Sequence, residues 1–77
     1  MKELQIVFES IRAIEQFVQI ATRYPGDIHV AEGHRILDGK AIMGLLSLGL
    51  NRKLQLSYAG NEVEFNELSQ QINDYVI

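Results

Sequence analysis

"KAIMGLLSLGL", Lys40 to Leu50, sets Ile42, Met43, Leu45, Leu46 and Leu48 close together and interrupts the apolar run with Gly44 and Gly49. The stretch is too short to cross a bilayer, which takes about 20 apolar residues. It reads as a short helix over 41–47, closed near Gly49, where glycine supplies a left-handed exit. A helix of this length cannot bury every side of itself. Either Ile42, Met43, Leu45, Leu46 and Leu48 are all core, or part of the set faces outward.

Working outward, "ELQIVF" (3–8) is rich in β-formers and reads as a strand. Ser10 stands as an N-cap before a helix over 11–23, where Ile11, Ile14, Phe17 or Val18, and Ala21 repeat at helical spacing. "YPGD" ends that helix, because Tyr24 precedes proline and Gly26 turns the chain. Strands over 27–31 and 34–38 flank a turn at Gly33, and "LQLSY" makes a strand over 54–59 with Leu54, Leu56 and Tyr58 on one face. Asn61 and Glu64 have capping-box spacing before a helix over 62–75, with Phe65, Leu68, Ile72 and Tyr75 or Val76 as its buried stripe. The order is β-α-β-β-α-β-α. It predicts a two-layer α+β sandwich, a four-stranded sheet with three helices on one face. One domain spans 1–77, with Phe17, Ile28, Leu45, Leu56, Phe65 and Leu68 in its core.

The chain has 77 residues, a net charge of −3 and no cysteine. Disulfides and thiolate metal sites are therefore excluded. The lack of a basic run argues against nucleic acid as a partner. Neither a signal peptide nor a membrane span is expected, so the protein reads as soluble, cytoplasmic and bacterial in type. His29 lies on the outward face of its strand and His34 sits beside a turn. With two histidines and no cysteine there is no ligand set, and neither a metal nor another cofactor is expected. No catalytic constellation is visible, and the chain does not read as an enzyme. Ser10 and Arg12 hold the one weak anion signal: a helix N-terminus accepts anions, and an arginine one turn in would support it.

"FVQIATRYPGDIHV" (17–30) followed by "KAIMGLLSLGL" resembles the HPr family, the histidine-containing phosphocarriers of the bacterial sugar phosphotransferase system. The register runs from about Arg12 to about Gly60, and "IMGLLSLG" is its most specific part. The resemblance implies an open-faced β-sandwich with the same element order. It also implies that the short helix covers the sheet with Leu45 and Leu48 and offers Ile42, Met43 and Leu46 to protein partners. Those partners would be phosphotransferase-system enzymes or a regulator.

The family's Gly-Leu/Ile-His-Ala-Arg-Pro motif, whose histidine carries the phosphoryl group, corresponds here to "FESIRAIEQ" (8–16). Ser10 falls at the histidine position, Arg12 is retained, and Ala13 replaces the proline. The family's regulatory serine falls at Ala41. The resemblance therefore implies an interaction domain rather than a carrier at the usual histidine. Two other readings stand beside it: a phosphoacceptor using His29, His34 or Ser10, and a self-associating domain that pairs through its apolar patch.

Overall fold

The computed structural model describes residues 2–77; Met1, included in the expected domain, lies outside them. Four strands form one antiparallel sheet: β1 (Lys2–Ile6), β2 (Asp27–Glu32), β3 (Arg35–Asp38) and β4 (Leu54–Ala59), in the order β1-β4-β2-β3. Three α-helices, α1 (Ile11–Ala21), α2 (Ile42–Leu48) and α3 (Glu62–Gln71), cover one face of it. The α+β order read from the sequence is the observed order, extended by a 3-10 turn over Asn73–Tyr75.

Alternation along each strand divides the two faces. Leu4, Leu56, Val30 and Leu37 lie in one cross-strand row, and Tyr58 opposite Ile28 in another. Ile28, Val30, Leu54, Leu56 and Tyr58 are buried there against Ile14 and Phe17 of α1, Leu45 and Leu48 of α2, and Leu68 of α3. The opposite face is open. Its rows run Glu3, Ser57, His29, Asp38 and Gln5, Gln55, Ala31, Ile36.

Local signals explain the element ends. The Ser10 side chain accepts a hydrogen bond from the Ala13 N–H at 3.0 Å and starts α1. The capping box forms at α3: the Glu64 N–H donates to Oδ1 of Asn61 at 2.8 Å, and the Asn61 N–H donates to Oε1 of Glu64 at 3.2 Å. Gly33, at φ +59, occupies the first central position of the two-residue β2–β3 connection, the pattern of a type II′ turn.

Several expectations are corrected. β1 stops at Ile6 rather than residue 8, because the Val7 N–H donates to the Tyr75 carbonyl and the chain turns into the helix layer. Phe8 is fully buried there, its ring 5.1 Å from Phe17 and 5.8 Å from Tyr75. α1 ends at Ala21, two residues early, with Thr22 Oγ1 donating to the Gln19 carbonyl. α3 ends at Gln71, and Val76 then bridges Ile6 while the Ile77 N–H donates to the Gln5 carbonyl, so this segment lines the outer edge of β1. Phe65 is half-buried, stacked beside Tyr58 with ring centroids 6.5 Å apart. Gly49 has φ +90 but an extended ψ of 176, and the left-handed residue after α2 is Asn51 at φ +59.

Candidate functional site

The entry of α1 and the outward side of α2 are joined through the backbone. The Asn51 N–H, just after α2, donates to the Phe8 carbonyl at 2.8 Å, just before α1. Ser10 and the loop leaving α2 are thereby held as one region of the surface.

On α2, Leu45 and Leu48 are buried, as the short helix was read. Met43 is 76% exposed, whereas Ile42 and Leu46 are half-buried against the core. Of the three outward residues read from the sequence, Met43 is therefore the one whose side chain stands free. Leu50, two residues beyond the end of α2, is exposed. Ile11 is also exposed, a correction to its place on the apolar stripe of α1; as the first helical residue it lies outside the sheet-facing row that begins at Ile14. Ile11 and Leu50 escaped the sequence reading because only the Asn51–Phe8 link, a contact between distant segments, places the two loops together.

At the helix entry, Oγ of Ser10 is engaged by its own helix. Arg12 is exposed, and its side chain makes no hydrogen bond or ion pair among the described residues. The histidines lie elsewhere. His29 is exposed on the open face of the sheet, opposite Ser57 and Asp38, and His34 is exposed in the β2–β3 turn. The structure does not bring either to Ser10. Among the described residues no group of three His, Cys, Asp or Glu side chains is arranged to hold a metal, and no helix is long and apolar enough to cross a membrane.

Residues 10–73 match the family model described as the PTS HPr component phosphorylation site. The chain belongs to the HPr family. An HPr of Thermoanaerobacter tengcongensis superposes with a TM-score of 0.78 at 29% identity, over 96% of this chain and 93% of that one. The phosphocarrier protein HPr of Bacillus anthracis gives a TM-score of 0.75 at 22% identity, over 99% and 96%. Crh, a Bacillus subtilis catabolite repression protein described as a domain-swapped dimer, gives 0.69 at 24% identity, over 94% and 87%. The last two are likenesses of fold. No curated protein sequence matches the chain. The HPr fold accounts for the open-faced sheet and for the short α2 laid beside the entry of α1.

Proposed function

We propose that this HPr-family chain is a protein-interaction domain that carries no phosphoryl group at the family's histidine position. The observation that carries the reading is the entry of α1. Ser10 stands there with Oγ accepting from the Ala13 N–H, while His29 and His34 lie on the sheet and its turn. A serine phosphate is an ester and lacks the transfer potential of a phosphohistidine, so Ser10 does not replace the relay. The docking surface is Ile42, Met43 and Leu46 on α2, with Met43 as its exposed anchor. Methionine suits such a surface because its side chain adapts to a partner's shape. Ser10 and Arg12 border it and contribute polar contacts. The partners are proteins of the phosphotransferase system or a regulator that reads it.

Two measurements test this. Incubated with phosphoenolpyruvate and the general enzyme of the phosphotransferase system, the protein is expected to gain no acid-labile phosphate. Such a label on His29 or His34 overturns the reading and makes the chain a carrier by another residue; an acid-stable label on Ser10 makes it a phosphoacceptor. In titrations against phosphotransferase-system proteins, Met43→Asp is expected to weaken binding about thirtyfold or more, the equivalent of about 2 kcal/mol. Its stability should change by only about 0.5 kcal/mol, as at other exposed positions. A folded Met43→Asp that binds the same partners unchanged removes the docking surface from α2.

A further inference from the structure

The two edges of the sheet are unlike. Val76 and Ile77 line the edge of β1. β3 pairs with β2 on one side, and among the described residues no strand pairs with its other side. On that edge Ile36 is 65% exposed, a large apolar residue on an open face otherwise formed in its rows by Glu3, Gln5, His29, Asp38, Gln55, Ser57 and the small Ala31.

The hairpin fixes which backbone groups of β3 point outward. A two-residue connection closes on a hydrogen-bonded pair, here Glu32 with Arg35, and such pairs alternate with non-bonded ones. Ala31–Ile36 and His29–Asp38 are therefore the non-bonded pairs. The next bonded position is observed, with the Gly39 N–H donating to the Ile28 carbonyl at 2.7 Å. Ile36 thus directs both its N–H and its C=O away from the sheet, as does Asp38, whose carbonyl also accepts from the Ala41 N–H.

We propose that β3 is a dimerisation edge: two copies of this chain pair antiparallel through β3, Ile36 against Ile36, with His34 of each beside Asp38 of the other. The register follows from the groups on the edge. A two-fold axis normal to the sheet keeps each open face on its own side, so like-facing residues meet. Centring on Leu37 would set Ile36 against the Asp38 carboxylate, and centring on Arg35 would oppose two guanidinium groups. Centring on Asp38 would oppose two carboxylates, and centring on His34 would leave little strand to overlap. Centring on Ile36 lets the two copies exchange its N–H and C=O, joins Ile36 to Ile36 between the flanking Ala31 residues, and opposes no like charges. An imidazole beside a carboxylate at both ends makes the edge complementary to itself, which singles out a second copy over an unrelated extended segment. Arg35 stays on the helix side, its guanidinium donating to Ser47 Oγ at 2.9 Å. The proposal goes beyond the function proposed above and does not rest on it.

Sedimentation equilibrium of the full chain from micromolar to millimolar concentration tests it. The expected mass rises from one chain to two. Ile36→Lys places two like charges across the axis and should weaken association about thirtyfold or more. Ile36 is exposed in the single chain, so circular dichroism should show the variant folded. His34→Lys, which keeps a full charge beside Asp38, should tighten the dimer a few-fold, and His34→Asp should weaken it by a similar factor. A mass of one chain throughout overturns the proposal and leaves the edge to a different partner. So does a dimer that folded Ile36→Lys leaves intact; if Met43→Asp dissolves that dimer instead, the contact lies on α2.

Discussion

The hydroxyl of Tyr58 donates a hydrogen bond to Oε1 of Glu64 at 2.9 Å, and the same oxygen atom of Tyr58 accepts one from the Gly26 N–H at 3.1 Å. One buried phenol thus ties β4 to the turn after α1 and to the capping box of α3. Tyr58→Phe keeps the ring and removes both bonds, leaving the Gly26 donor without its partner. We expect a loss of about 1–3 kcal/mol in urea unfolding, with the slope of the transition unchanged.

The same phenol governs the alkaline limit. Burial raises the Tyr58 pKa above 10.0, and the bond to Glu64 adds to it. Burial also raises Tyr24 and Tyr75, with Glu67 and Asp74 respectively adding to the effect. Each group is easier to ionise unfolded than folded. Its contribution to stability is complete below the unfolded pKa and is lost as pH rises through the folded value. Stability should therefore decline as pH climbs past about 10, and ultraviolet titration should show tyrosinate forming late in the folded protein and at the ordinary pH in denaturant. Tyr58→Phe should flatten the alkaline decline.

Ser10→Ala separates the structural role of the helix entry from any role in binding. Loss of the cap to Ala13 should cost about 1 kcal/mol, within the range of about 0.5–2 kcal/mol for such caps. Ser10→Asp, which can accept the same hydrogen bond, should restore the stability measured by thermal unfolding.

Gly44→Ala should stabilise the protein. A Cβ at Gly44 would have Leu37 Cδ1 as its nearest neighbour at 3.7 Å, an ordinary contact. Relief of backbone entropy in α2 should then yield about 0.5–1 kcal/mol. A loss of stability in chemical denaturation would show that α2 needs the glycine for another reason.

What the sequence disclosed was local. The capping box at Asn61 and Glu64 and the turn at Gly33 each follow from residues a few positions apart, the inward pair Leu45 and Leu48 came with the family resemblance, and each is observed. The misreadings involve contacts between distant segments. Phe8 continues the β-like composition of "ELQIVF", and only the Tyr75 carbonyl and the Phe17 ring explain why it leaves the ladder and is buried. Phe65 has the spacing of a core residue, but Leu68 and Ile72 take the interior and leave it beside Tyr58. At the candidate site, the exposure of Met43 was legible because a short helix must expose a side and the family resemblance pointed to Ile42, Met43 and Leu46. Ile11 and Leu50 were not, since their placement depends on the Asn51–Phe8 bond.

The position of β1, between β4 and the segment holding Val76, bears on the order in which the chain assembles. β2 and β3 can close as soon as their two-residue turn exists. β1 finds its neighbours only at residues 54–58 and 76–77. During synthesis it emerges well before β4, its partner strand, and until that strand follows, Leu4 and Ile6 lack their shelter. Kinetic phases that report on β1 should trail those of the β2–β3 hairpin, and a stalled nascent chain lacking β4 should hold this strand open to chaperones.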